Sequence, residues 1–400
     1  MPAEAAAWLP ADCVHGAVPA ETDVVVVGGG LAGTAIAYYL AGEGVDVVLL
    51  ERAELNREAS GTNAGSFHFQ IAIHQFTERG TVGARERLLA DVRLHLAAAR
   101  LWETLEEELD GPLGVHRTGG IMVAETPEEV QLLHDKHAIE AEAGLETHVL
   151  EGGELRRFAP YLAGDLPAAT FCPAEGHANP FLAAPLFALR AVERGAVIRT
   201  GVEVTSIEPG FTVATSAGEV RAQRIVNAAG AWANELAATS GVRLPMRAEG
   251  LHVNVTEPRP KVLEPLVQHI GRRLTLKQTA NGTFIIGGGW PARAEQRPAR
   301  YSTIWKSAAG NAAVAVRVMP SLADVRVVRM WTGVMAFTDD LQPVFGEVRE
   351  LPGYFMCIAS TGFTLSPMIA RMLAAHIARG EPLPQEHAPD RKGLQWTATT

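Results

Sequence analysis

The stretch from Asp23 to Glu51, DVVVVGGGLAGTAIAYYLAGEGVDVVLLE, constrains the fold more than any other part of the chain. Val24–Val27 is a short, wholly apolar run, as expected of a strand buried on both faces of a parallel sheet. Gly28, Gly30 and Gly33 follow as G-x-G-x-x-G, and Leu31 to Leu40 reads as a helix. Val45–Leu50 is a second buried strand, ending in Glu51. Each glycine has a separate steric task. Gly28 permits a tight turn, Gly30 lets the backbone approach a pyrophosphate, and Gly33 lets helix and strand pack closely. A diphosphate would sit on the amides at the helix start, where the helix dipole is also favourable. Glu51 is placed to accept hydrogen bonds from a ribose hydroxyl, and its charge disfavours a 2′-phosphate.

The rest of the composition narrows the function classes. A chain of 400 residues has room for two domains, and 47% apolar against 20% charged residues describes an ordinary folded protein. The net charge of −10, with no basic cluster, argues against nucleic acid or an anionic membrane as partner. Cys13, Cys172 and Cys357 lie far apart, which excludes a four-cysteine metal site within the chain and points to a reducing cytoplasm. No apolar run approaches the ~20 residues of a membrane span. Residues 1–21 lack the basic start and long apolar core of a signal peptide and read as an irregular lead-in, packing on a neighbour through Trp8 and Leu9.

Taken in order, small residues cluster at Ser60, Gly61, Ala64, Gly65 and Ser66, where backbone can lie against a flat ligand or simply form a surface loop. Apolar residues at three- or four-residue spacing predict a helix over Ala84 to Leu109. Val115–Ala124 reads as strand, and Thr126-Pro127-Glu128-Glu129 opens a helix to about Ala143. Pro180 to Arg194 reads as helix, Gly195–Ile198 as a buried strand, and 201–221 as a meander. Arg224–Ala228 is again a buried strand. Buried strands therefore return nearly 200 residues after the first, so the nucleotide-binding domain is interrupted. Gly250–Glu257, Arg272–Lys277 and Thr283–Gly289 predict antiparallel strands, with a hairpin at Ala280-Asn281-Gly282. Ala308–Met319 reads as helix, Val325–Gly333 and Tyr354–Ala359 as strands, and Pro367 to Arg379 as a closing helix.

With these segments placed, the chain resembles the D-amino-acid oxidase and sarcosine oxidase (DAO) family of FAD-dependent oxidoreductases. The likeness spans roughly residues 22 to 384. It rests on VVVVGGGLAG…LLER, SGTNAG, GVEVTSI, RIVNAAGAWANELA, WTGVMAFTDDLQPVFG and ASTGFTLSPMIARMLAAHIARGEPLP, in that order. LTLKQTANGTFIIGGGWPA further resembles β-type subunits of heteromeric opine oxidases or dehydrogenases, hydrogen cyanide synthase, and D-hydroxyproline or proline dehydrogenases. The resemblance implies a mixed α/β fold: a Rossmann-like FAD-binding domain of the glutathione-reductase type with an interleaved antiparallel-sheet substrate domain. The expected division is 22–79, 144–240 and 325–385 for the FAD domain, 80–143 and 241–324 for the substrate cap, and 386–400 for a tail.

The resemblance also assigns residues. Gly28, Gly30, Leu31, Ala32 and Gly33 match the diphosphate loop, and Glu51 with Arg52 the adenosine ribose end. Ser60, Thr62, Asn63 and Ala64 match a loop beside pyrophosphate and flavin, Val204 the adenine contact, and Ala229, Gly230 and Trp232 a second dinucleotide contact. Gly333, Gly362, Phe363 and Thr364 match turns at the flavin ring. Two departures stand out. No cysteine lies within Trp331–Thr338, where sarcosine oxidases tether flavin, so FAD is expected to be held without a covalent bond. Where relatives place a carboxylate-binding arginine or a lysine, this chain has Met335 and Thr364.

In this family hydride leaves the carbon beside nitrogen for flavin N5, which needs alignment more than a strong base. Candidates facing the ring are His68, His252, Lys277, Trp331, Met335 and Thr364. Lys277 either supports charge near the ring or is a solvated lysine on an edge strand. The two histidines either touch substrate or are hydrogen-bonded structural residues, and Trp331 either packs or cages. The implied function is oxidation of a secondary amine or an N-substituted or D-amino acid, opine-like or an imino acid. The chain would act as the catalytic β-type subunit, with a partner carrying another flavin or an iron–sulfur centre. A stand-alone oxidase using oxygen, and a non-catalytic assembly chain, are the alternatives.

Overall fold

The structure, a computed structural model, describes residues 9, 15–72, 76, 84–208, 210–295, 300–391 and 394. Trp8, Cys13, residues 80–83 of the expected cap and the tail past 394 lie outside the described residues. Leu9 is buried within the chain's own core rather than offered to a neighbour.

Glu21–Val27 is the central strand of the first sheet. It pairs in parallel with Gly218–Asn227 on one side (Val25 opposite Ile225) and Val47–Glu51 on the other (Val25 opposite Val48). Tyr354–Ile358 and Val197–Thr200 extend the parallel arrangement outward, and Val344–Glu347 closes one edge antiparallel. The all-valine run has the predicted cause. Val24 and Val26 face a layer made by helices Leu31–Gly42, Pro180–Glu193, Gly362–Arg379 and Ala84–Glu108. Val25 and Val27 face a second layer containing Ala233, Leu236 and Ala237 of the Ala233–Thr239 helix. Full burial of each such side chain contributes about 1.5–3 kcal/mol. The end of the stretch read as a 201–221 meander and the strand read at 224–228 form one strand, Gly218–Asn227, whose first half pairs with the antiparallel Thr212–Thr215, itself paired with Val204–Glu208.

The second sheet has eight strands: Val327–Thr338, Met246–Pro258, Thr283–Gly287, Thr275–Gln278, Leu266–His269, Gly120–Ala124, Ala168–Cys172 and His148–Glu151, in that order. Every pairing is antiparallel except Leu266–His269 on Gly120–Ala124. The sheets therefore divide the chain differently from the expected segments. The strands at 148–151, 168–172 and 327–338 join the second sheet, while the long Ala84–Glu108 helix packs on the first. Long-range pairing decides membership, and local sequence cannot show it. One face of the second sheet packs through Leu276, Phe284 and Ile286 against helix Trp305–Val318.

Two helix starts show how far the chemistry of the first residues sets a boundary. Pro127–Ala143 begins with a full capping box between Thr126 and Glu129 and stops at Gly144 in the left-handed region. The closing helix starts at Gly362, not Pro367. Proline is a common first helical residue, but here it sits five residues inside, so the Phe363 carbonyl loses its intrahelical donor. The helix start thus falls in the loop that follows a first-sheet strand, where open α/β sheets bind ligands.

A very close backbone approach lies at the first crossover. Gly28 has φ +112°, and a methyl group at Gly33 would overlap the Gly28 carbonyl oxygen. Gly33→Ala is expected to cost about 1–3 kcal/mol through this overlap and to lower FAD retention on gel filtration; a variant matching wild type in urea midpoint and flavin content contradicts the packing described.

Candidate functional site

A cavity of about 900 Å³ lies between the two sheets and is lined by both. Its floor is the first crossover: Gly28, Gly30 and Ala32 border it, with Glu51 and Arg52 from the end of the neighbouring strand. Space at this floor depends on absent side chains, since a Cβ at Gly30 would come within 2.9 Å of Ser60 Oγ. Leu31 and Gly33 support the floor from beneath and do not border the cavity. The Leu31 amide is not left for a phosphate; it donates to Ser60 Oγ at 2.9 Å. The first bond inside the helix runs from Thr34 N to Gly30 O, which leaves the Ala32 and Gly33 amides without intrahelical partners. Glu51 is held in place, accepting from Gly29 N (2.6 Å) and Ala53 N (2.8 Å). Farther along, Val204, Ala229, Gly230 and Trp232 border the same end, and the Arg52 guanidinium lies 3.8 Å from the Trp232 ring centroid.

Residues 59–68 form the middle wall. Ala59–Thr62 is a single helical turn, and Asn63 fastens the residues on either side of it. Its amide donates to Ala59 O and Ser60 O, and its carbonyl accepts from Gly65 N. Ser60, Thr62, Asn63, Ala64 and His68 border the cavity. Trp331 is not in the wall but behind it, donating from Nε1 to Thr62 O at 2.7 Å. A side chain at Gly333 would collide with Thr62, which is why the strand and this loop can touch. His68 N donates to Thr364 Oγ1, and the Trp102 indole donates to Thr364 O, so Gly362, Phe363 and Thr364 complete the wall on the helix side.

The second-sheet end is lined by Met122, Leu251, Leu274 and Met335, with Gln268, Thr275, Arg272 and Arg273 among them. His252 borders the cavity, but its ring is committed elsewhere. Nε2 lies 2.8 Å from Asn254 Oδ1, whose amide donates to Ala308 O and Asn311 Oδ1 on the helix behind the sheet. Asn254 Oδ1 is therefore the acceptor, the His252 proton sits on Nε2, and burial holds the ring's pKa below its usual value. Lys277 is neither on an edge strand nor solvated. It lies in an inner strand, 5% exposed, and does not border the cavity.

Sequence reading missed a buried polar cluster that fixes this end. Glu175 accepts from Phe69 N, Gln70 N, Gln70 Nε2 and Gln268 Nε2 at 2.8–3.1 Å. Lys136 bridges Gln70 Oε1 and both oxygens of Glu140, and Glu140 accepts from Ile71 N. Lys136, Glu140 and Glu175 are fully buried, and burial raises the Glu175 pKa. The cluster pins residues 69–71, next to His68, to the second sheet. Its members are scattered from 70 to 268, so no local motif reveals them.

Known proteins agree with this geometry. The family model "FAD dependent oxidoreductase" (DAO) matches residues 23–376. The chain belongs to the DAO family. It is 30% identical over 375 residues to the opine oxidase B subunit of Agrobacterium tumefaciens (strain Ach5), and 28% over 372 residues to that of Rhizobium meliloti. Each match spans 90% of this chain and 94% of the relative. The crystal structure of L-proline dehydrogenase from P. horikoshii superposes with a TM-score of 0.83 at 26% identity, covering 93% of this chain and 98% of that one. As a DAO-family enzyme the chain uses FAD and acts on C–N bonds. The glycine cradle at Gly28–Gly33, the held Glu51 and the length of the cavity fit that cofactor.

Two outcomes follow from the buried charges. Glu175→Gln can keep one oxygen on the Phe69 and Gln70 amides only by turning its N–H₂ against the Gln70 and Gln268 side-chain donors, and is expected to cost about 1.5–3 kcal/mol of stability in chemical denaturation; an unchanged midpoint contradicts the hydrogen-bond assignment. Burial also lowers the Lys277 amine to about 7 from its ordinary 10.5. Between those values the unfolded chain holds more protons than the folded one, so stability rises with pH across this window. Lys277→Met is therefore expected to stabilise the protein most below about pH 7 and progressively less towards about pH 10; a gain that does not vary with pH contradicts it.

Proposed function

We propose that this chain is the catalytic β-type subunit of a heteromeric dehydrogenase acting on a secondary amine or an N-substituted amino acid. One observation carries the proposal: a single cavity joins a glycine cradle for a dinucleotide to an apolar chamber walled by the second sheet. Bound FAD supplies the acceptor for the hydride that leaves the carbon beside nitrogen. The chain's own residues supply the setting. Met122, Leu251, Leu274 and Met335 exclude water and favour an uncharged amine. The clamped 69–71 segment and the Thr364 bonds hold the chamber wall in one place, so binding energy goes into alignment of the reacting C–H bond. His252, bonded to Asn254, orders the sheet rather than moving protons.

The two near-full-length opine oxidase relatives, both B subunits, support the subunit role and an opine-like substrate. A partner chain with a further flavin or an iron–sulfur centre would then take the electrons. A reducing, cytoplasmic setting suits Cys172 and Cys357, which are buried free thiols. FAD is held without a covalent bond. Cys357 borders the cavity, but burial pushes its thiol up to about 12, far from a reactive thiolate.

Denaturing the purified protein is expected to release all flavin into the supernatant; colour remaining with the precipitated chain contradicts non-covalent binding. Anaerobic mixing with secondary amines, opines and imino acids, with and without co-expressed neighbouring subunits, is expected to bleach the flavin with at least one of them. Peroxide formed by the isolated chain in step with amine loss would instead make it a stand-alone oxidase.

A further inference from the structure

Two side-chain amides border the cavity, Asn63 and Gln268, and they differ in what they leave unpaired. Asn63 commits both ends of its amide within the chain, donating to Ala59 O and Ser60 O and accepting from Gly65 N. Gln268 makes one bond, from Nε2 to Glu175 Oε2 at 3.1 Å. Its Oε1 has no donor among the described residues and is not sealed away from the cavity. An acceptor left open in an apolar chamber is a strong site for a ligand N–H.

Glu175 decides which end of this amide faces the cavity. Its Oε1 takes Phe69 N and Gln70 N, which can only donate, and its Oε2 takes Gln70 Nε2 and Gln268 Nε2. Gln70 cannot turn over, because its own Oε1 accepts from Lys136 Nζ and Thr170 Oγ1. A carboxylate accepts and does not donate, so Gln268 must give it the N–H₂ and turn its carbonyl oxygen the other way. The sheet holds the rest of the residue. Gln268 is 9% exposed and lies in the strand Leu266–His269, opposite Met122 on one side and Thr275 on the other. Both neighbours also border the cavity, whereas Glu175 does not. The chamber is thus offered a neutral acceptor. A carboxylate there would favour an ammonium ion, but a carbonyl oxygen among Met122, Leu251, Leu274 and Met335 suits an uncharged amine. An uncharged secondary amine has one N–H to give, and a tertiary amine has none.

We propose that Gln268 is the specificity residue that accepts the N–H of the substrate, so that secondary amines are taken in preference to their N-methylated tertiary forms. Glu175 acts through it as a positioning residue. This rests on the proposed amine chemistry, but the contact can be measured without turnover. Pyrrole-2-carboxylate has one N–H and no hydrogen on a saturated carbon beside nitrogen, so it can bind without reducing flavin. Its 1-methyl form lacks the N–H. Both are titrated into the FAD-loaded protein and followed by perturbation of the flavin spectrum. Wild type is expected to bind the N–H form about 10- to 100-fold more tightly than the methylated one.

Gln268→Met removes the acceptor at similar length and is expected to bring the two affinities near parity, which a purely steric preference would not do. Glu175→Gln lets the Gln268 amide turn over and present N–H₂, so the preference should also be lost with Gln268 still in place. Circular dichroism and flavin content show that each variant is folded and loaded. Equal affinities in wild type, no binding of either compound, or a preference that survives in either folded variant overturns the assignment. A preference that depends on Gln268 in a protein that no amine reduces upholds the contact and rejects the amine chemistry. Flavin bleached equally well by secondary amines and their tertiary forms upholds the amine chemistry and overturns the contact.

Discussion

The first crossover depends on a contact between two glycines. The Gly28 carbonyl lies against Gly33 so tightly that no methyl group fits between them, and this sets how closely the first helix lies on the first strand. Because the helix sits low, its start faces open space, with Gly30 at the rim and Glu51 held beside it by the Gly29 amide. Everything that makes the chain a flavoenzyme follows from that space. The valine strand buried on both faces keeps the crossover rigid, since Val24–Val26 are shielded by one helical layer and by a second apolar layer on the opposite face.

The second lobe is organised on another basis. Its cavity face is held partly by buried charge: Lys136 with Glu140, and Glu175 with four donors. Buried ions cost free energy unless every oxygen and proton finds a partner, and here the partners include backbone amides of residues 69–71. The cluster therefore converts an irregular segment into a fixed wall. Its effect on chemistry is indirect. It positions the segment next to His68 and orients Gln268.

The two lobes differ in how much could be read from sequence, and for a physical reason. The first crossover is local: strand, turn, helix and second strand fall within thirty residues, and each signal concerns a near neighbour. The Thr126 capping box and Pro127 were legible for the same cause. The second sheet is non-local. Leu266–His269 pairs in parallel with Gly120–Ala124, and nothing near residue 266 announces it. Pro367 misled because a proline usually opens a helix, yet packing carries this one back to Gly362. Lys277 read either as a charge near the ring or as a solvated lysine on an edge strand, and its strand in fact lies between two others.

The central claim is that the glycine floor of the first crossover holds the adenine-containing flavin. Gly30 tests it most directly, because its backbone has φ −79°, which any residue adopts, and a side chain there would project past Ser60 into the cavity. The measurement is FAD per chain after gel filtration of wild type and Gly30→Val, with circular dichroism to check that both are folded. The expected result is flavin bound to wild type and lost from a folded variant. A folded Gly30→Val protein that keeps its full flavin content would contradict the account.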